Sequence, residues 1–172
     1  MATARYSIGI DLGTTNSAMA FVPLDGDAAT EVFSVPQWES VGALGEASTL
    51  PSFLFRPEPA VAAELGASGG LGGWIVGRMA RKRAAETPGR VAHSAKSWLC
   101  HHAADRRAAF LPWGSEEVAP EDKLSPVDAS ALILNFLRGA WNSRFAASGD
   151  DFAFDAQAIA ITVPASFDSA GQ

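Results

Sequence analysis

The residues whose types and order could do chemistry lie near the N-terminus, in Ile8-Gly9-Ile10-Asp11-Leu12-Gly13-Thr14-Thr15-Asn16-Ser17. A short apolar strand ends in a carboxylate, and a turn of one glycine and two threonines follows. Strand-like sequence then resumes at Ala18-Met19-Ala20-Phe21-Val22. Backbone N–H groups freed by a tight turn, with two hydroxyls beside them, can surround a phosphate. A carboxylate at the strand end, Asp11, stands where it could hold a hydrated divalent cation. The stretch therefore reads as the phosphate-binding hairpin of an ATP site. It is not a Walker A loop, because no Gly-Lys-Ser/Thr follows, and not a Rossmann turn, because a strand rather than a helix comes next. The bland alternative is a Gly-Thr turn such as any meander contains.

Other reactive residue types are weaker candidates. Cys100-His101-His102, with His93 nearby, has metal-binding side chains, but adjacent residues of a helix point in different directions. Arg78, Arg81, Lys82, Arg83 and Arg90 cluster, and a solvated helix face explains them more simply than nucleic acid does. The run 66–73 is glycine-rich without a following Lys-Ser/Thr and reads as a flexible loop. Ser166 has no nucleophile-elbow pattern around it.

To position the turn there must be a core, and 48% hydrophobic against 19% charged residues in 172 is a balance that supports one. That length favours one domain, which can have two lobes. No apolar run approaches ~18 residues, the N-terminus lacks the apolar core of a leader, and a single cysteine excludes an internal disulfide framework. The expected setting is cytoplasmic, without membrane contact. A formal net charge of -6 does not recruit an anion by itself. Attraction for a nucleotide must come from local N–H groups, a metal ion and a placed lysine or arginine.

Three strands are expected at 6–11, 18–24 and 31–35, the last stopped by Pro36, forming an antiparallel meander. From 37 to about 124 glycine, proline and alanine become frequent and the periodic segments shorten, which suggests an inserted smaller lobe. Within it, 52–56 and 74–76 read as strands, 78–86 as a helix, and 97–107 as a second, poorly delimited helix. The clearest helix is 126–145: Ser125 suits the N-cap, Pro126 the first turn and Asp128 the positive dipole end. Leu132, Ile133, Phe136, Leu137, Ala140, Trp141 and Phe145 recur on one face. A fourth strand at 158–163 ends at Pro164. Strand, helix, strand in that order favours a right-handed crossover, with the fourth strand parallel to the first. Ligands of such sheets bind beyond the carboxyl ends of the parallel strands, here Asp11-Leu12-Gly13-Thr14 and Val163-Pro164-Ala165. The uncovered apolar edge of the fourth strand suggests a fragment of a longer protein, which self-associates through that edge.

Ile10-Asp11-Leu12-Gly13-Thr14-Thr15-Asn16-Ser17 resembles the first phosphate motif of the seventy-kilodalton heat-shock (DnaK-type) chaperone family. Sugar kinases and other actin-like ATPases carry similar hairpins. Arg90-Val91-Ala92-His93-Ser94-Ala95-Lys96-Ser97-Trp98-Leu99 is similar to the chaperone family's catalytic-lysine segment. Ala160-Ile161-Thr162-Val163-Pro164-Ala165-Ser166-Phe167-Asp168 is similar to its proline-switch segment, and Leu50-Pro51-Ser52-Phe53 fits its inserted lobe. The resemblance implies an α/β, ribonuclease-H-like (actin-like ATPase) fold, incomplete at the C-terminus. Residues 1–36 and 125–172 would be part of the first core subdomain, and 37–124 the inserted lobe. It implies ATP or ADP with Mg²⁺, and K⁺ as an optional further cation. Gly13, Thr14, Thr15 and Asn16 would contact phosphates, Asp11 would act on Mg²⁺ through water, and Lys96 would reach the γ-phosphate. Pro164 would sense nucleotide state. Implied partners of the full-length protein are unfolded polypeptides and co-chaperones, in a stress-response role. Three departures stand out: the family's acidic and second-phosphate elements and its adenosine motif would lie beyond residue 172, Gln172 falls where the family has an arginine after the proline switch, and 110–123 does not read like its usual hairpin. A carbohydrate kinase of the same superfamily and a non-catalytic nucleotide-sensing module are the alternatives.

Overall fold

The computed structural model of this chain describes residues 3–65 and 71–162. Strand β1 (Tyr6–Asp11) pairs antiparallel with β2 (Asn16–Pro23), with Ile8 opposite Phe21 and Ile10 opposite Met19. Period-2 alternation sends Ile8, Ile10, Met19 and Phe21 to one face, where all four are buried. Strand β3 (Glu31–Val32) pairs with β2 and completes the expected meander, but it is only two residues long.

Pro36 does not stop a strand. It lies inside β4 (Val35–Ser40), which pairs with β5 (Ala43–Ala47) in a separate hairpin, Pro36 opposite Glu46. A two-stranded ribbon has edge positions that need no N–H, so proline is tolerated there. Gln37 of β4 is buried and fully used. Its Nε2 donates to the carbonyls of Thr49 (3.0 Å) and Val35 (3.4 Å), and its Oε1 accepts the Arg78 N–H at 3.0 Å.

Strand β6 (Leu50–Pro51) pairs with β2, Asn16 opposite Pro51 and Ser17 opposite Leu50. Strand β7 (Phe53–Phe55) follows after a single residue, Ser52. Next come α1 (Pro59–Leu65), β8 (Ile75–Val76), α2 (Arg78–Glu86), β9 (Val91–His93) and α3 (Ala95–Leu99). The helix expected at 78–86 is α2. That expected at 97–107 is only the single turn of α3, beyond which the chain makes isolated turns. Strands β8-β7-β9 form a small antiparallel sheet with α2 packed on it. The glycine-rich run at 66–73 lies mostly outside the described residues; Leu71, near its end, forms an isolated bridge with Trp74 just beyond it.

Helix α4 (Pro126–Phe145) has the expected bounds and cap. Ser125 Oγ accepts the Asp128 N–H at 3.0 Å and donates to the Asp128 carboxylate at 2.7 Å. Its apolar face carries Trp141, which meets Tyr6, Phe21, Phe33, Phe145 and Phe154 with ring centroids 4.3–6.5 Å apart. The indole N–H donates to the Phe152 carbonyl at 2.9 Å. A loop of short 3-10 turns leads to β10 (Ala158–Thr162), parallel to β1, with Ile10 opposite Ile161 and Asp11 opposite Thr162. Sheet order β10-β1-β2-β3 is the crossover arrangement expected from strand, helix and strand. The core under α4 is continuous with Leu50, Leu54, Trp74, Val76, Ala92, Ala95, Leu111 and Val118 of the segment 37–124. Among the described residues, no helix is long and apolar enough to cross a membrane.

Candidate functional site

The candidate site begins where β1 ends. Asp11 is exposed there, and its Oδ1 accepts the Thr162 hydroxyl at 2.7 Å from the neighbouring end of β10. The two parallel strand ends thus meet, as the crossover requires. Leu12 packs against the core and anchors the turn, while Thr14, Thr15 and Asn16 are exposed. A Cβ added at Gly13 would lie 2.0 Å from the Asn16 carbonyl oxygen, so the turn closes too tightly for any side chain. Glycine is here for close approach of two backbone segments.

Three N–H groups of the turn are left without an acceptor: among the described residues, those of Gly13, Thr14 and Thr15 reach no backbone or side-chain acceptor. The turn is fastened by Ser52. The Ser52 hydroxyl donates to the Gly13 carbonyl at 2.8 Å, and the Ser52 N–H donates to the Thr15 carbonyl at 2.9 Å. Ser17 Oγ lies 2.9 Å from Ser52 Oγ, and both residues are buried. Reading the residues in order did not single out Ser17 or Ser52. The available signal was a hydroxyl in each of two otherwise apolar strand segments, which needs a partner once buried.

Lys96 comes from a different part of the chain. Ser52 precedes Phe53, which is the register partner of His93, and their rings stack with centroids 5.6 Å apart. His93 Nδ1 lies 2.9 Å from Ser94 Oγ. Ser94 is left-handed at φ 58, the only described non-glycine residue with positive φ, and it starts α3, which carries Lys96 one residue into the helix. Such a conformation costs of order 1–3 kcal/mol and persists only where its surroundings fix it. Lys96 is half-buried, and among the described residues its ammonium has no hydrogen-bond or ion-pair partner. Phe53 and His93 thereby join Ser52 to the start of α3, while among the described residues no hydrogen bond or ion pair joins Lys96 to the turn. Pro164 lies outside the described residues.

The remaining candidates disperse. Among the described residues no three His, Cys, Asp or Glu side chains gather as metal ligands. His101 packs against Trp98, and His93 is engaged with Phe53 and Ser94. The basic cluster is largely engaged within the protein. Arg78 pairs with Glu39, Arg83 with Glu86 and Arg90 with Glu58, and Lys82 donates to the Glu39 carbonyl. Asp11 is a single exposed carboxylate, the kind of group that could hold Mg²⁺ chiefly through water.

No family model matches the chain. Over an alignment of 176 residues it is 30% identical to the chaperone protein HscA homolog of Photobacterium profundum, covering 96% of this chain and 24% of that protein. The chain spans about a quarter of the length of that relative. It is similar, over nearly all of its own length, to part of a chaperone protein.

Proposed function

We propose that the chain is the N-terminal part of the ATP-binding and ATP-hydrolysing domain of a heat-shock-type (Hsp70-family) molecular chaperone, and that by itself it is inactive. The observation that carries this reading is the Gly13–Asn16 turn, in which Ser52 holds the Gly13 and Thr15 carbonyls and the Gly13, Thr14 and Thr15 N–H groups have no acceptor among the described residues. Similarity to the HscA homolog along the chain supports the family. The parallel β10-β1 pair, antiparallel β2 and covering α4 support a ribonuclease-H-like core built from 1–36 and 125–172. The β8-β7-β9 sheet with α2 supports a smaller lobe within 37–124, joined to that core through an apolar seam.

In this reading Gly13, Thr14, Thr15 and Asn16 bind the phosphates of ATP or ADP, and Asp11 holds Mg²⁺ through water. Lys96 neutralises charge at the γ-phosphate and orients the attacking water, and Pro164 responds to nucleotide state. Phosphoryl transfer depends mainly on positioning and charge neutralisation, and one lost charge-assisted contact typically costs about 2.7–4 kcal/mol of barrier. The other wall of the cleft would be contributed by sequence beyond residue 172. Client polypeptides and co-chaperones belong to the full-length protein.

The test is an amide-resolved titration of the chain with MgATP. Shifts confined to residues 11–16 and the surroundings of Lys96, at millimolar nucleotide and without turnover, are expected. In the full-length protein, Lys96→Ala should abolish turnover while nucleotide is still bound. Micromolar affinity of the isolated chain would overturn the assignment of an incomplete cleft. Shifts elsewhere would overturn the site.

A further inference from the structure

Two buried hydroxyls behind the turn have no role in the reading above, and their geometry dictates one. Ser52 Oγ has a single hydrogen, and it is committed to the Gly13 carbonyl at 2.8 Å. The 2.9 Å contact between the two serines must therefore be donated by Ser17. The result is a directed chain: Ser17 O–H to Ser52 Oγ, and Ser52 O–H to the Gly13 carbonyl. The Ser52 N–H takes the Thr15 carbonyl at 2.9 Å.

In a trans peptide plane the C=O of one residue and the N–H of the next point in opposite directions. Holding the Gly13 carbonyl against Ser52 therefore turns the Thr14 N–H to the far side. Holding the Thr15 carbonyl does the same for the Asn16 N–H. Both planes are set by one residue, so the Thr14 and Asn16 N–H groups both point away from Ser52. Carbonyl oxygens on that side would repel an anion, and N–H groups there attract one.

We propose that Ser52, supported by Ser17, is the positioning residue that keeps the Gly13–Asn16 turn in its anion-receiving conformation. Its functional meaning rests on the phosphate reading of the turn, but the positioning itself does not. Ser52 touches no ligand: it acts through the Gly13 and Thr15 carbonyls. The next residue, Phe53, stacks on His93 at the approach to α3.

The test compares the chain with its Ser52→Ala, Ser17→Ala and doubly substituted variants by amide resonance position and hydrogen exchange, without and with MgATP. Ser52→Ala leaves the Gly13 carbonyl without its donor, and exchange of the Ser52 N–H should quicken by about tenfold or more. The Thr14, Thr15 and Asn16 resonances should move, while amides of β1 and α4 stay in place. Ser17→Ala should give a smaller change of the same kind, absent in the Ser52→Ala background, because Ser17 acts only through Ser52. Unmoved turn amides in Ser52→Ala, or exchange quickened equally across β1 and α4, would overturn the proposal. MgATP separates it from the reading it rests on. Turn amides that respond to the variants but not to nucleotide would refute the phosphate site alone. Turn amides that respond to nucleotide and ignore Ser52→Ala would refute the positioning role alone.

Discussion

Replacing Gly13 by alanine should disable the turn with little damage to the fold. The added methyl would sit 2.0 Å from the Asn16 carbonyl oxygen and 3.1 Å from its carbon, both backbone atoms that no rotamer change can remove. Carbon–oxygen contacts settle near ~3.3–3.6 Å, so the turn must open by more than about 1 Å. A phosphate oxygen held at ~2.9 Å from two N–H groups loses them when they retreat that far. Hydrogen bonds to charged groups are worth roughly 1.5–3 kcal/mol each, so losing one or two lowers phosphate affinity by about one to four powers of ten. The clamp from Ser52 to the Gly13 carbonyl is disturbed as well, at about 1 kcal/mol, which lowers the melting temperature by only roughly 2–4 °C. The assay is a thermal melt of Gly13→Ala beside its amide spectrum with and without MgATP. Displaced resonances at 13–16 and at Ser52, a lost nucleotide response and a nearly native melt are expected. Native turn resonances with an unchanged response would refute the reasoning, because the clash on which it rests would then not exist.

Three further outcomes follow from the same structure. Trp141→Ala empties the centre of the aromatic cluster and orphans the Phe152 carbonyl, so stability should fall by about 3–5 kcal/mol and the melting temperature by roughly 6–20 °C; a melt within about 2 °C of the parent chain would contradict the packing described. The Arg138 guanidinium, chiefly through its hydrogen bond and also through its charge, holds the Asp155 carboxyl below the usual carboxylate range. Stability from that depressed value is present above the unfolded pKa and lost as pH falls through the folded one, and both side chains are well exposed, so Asp155→Asn should be slightly less stable than the parent at neutral pH. Urea titrations should show the gap closing in acid; a gap that widens there would have the wrong sign. Finally, β10 carries no charge or proline, its second edge has no partner among the described residues, and Ile159 and Ile161 are 40% and 43% exposed. Such an edge pairs readily with a second copy, and light scattering should show concentration-dependent association; a strict monomer at high concentration would speak against it.

Much of the fold was legible because local patterns agreed with tertiary ones. The bounds of α4 followed from Ser125, Pro126 and the recurrence from Leu132 to Phe145, and β1 from its apolar run ending at Asp11. The hairpin of β4 and β5 was not legible. One of its inward positions is a glutamine with partners as far as 12 and 41 residues away, and a proline interrupts its alternation. The helix expected at 97–107 shrank to α3 because no sustained apolar face follows Leu99.

The sequence by itself determined the turn: a carboxylate at a strand end, then a glycine with two threonines after it, are local facts of order and type. It also determined the crossover, since strand, helix and strand have one favoured hand. Only the tertiary structure decided which way the turn faces. Its Gly13 carbonyl is held by a hydroxyl 39 residues away and its Thr15 carbonyl by the backbone N–H of the same serine, while a strand pairing and a ring stack join the next residue, Phe53, to His93. Hydrogen-bond direction depends on which groups are buried together, and residues distant in the chain are brought together only by packing.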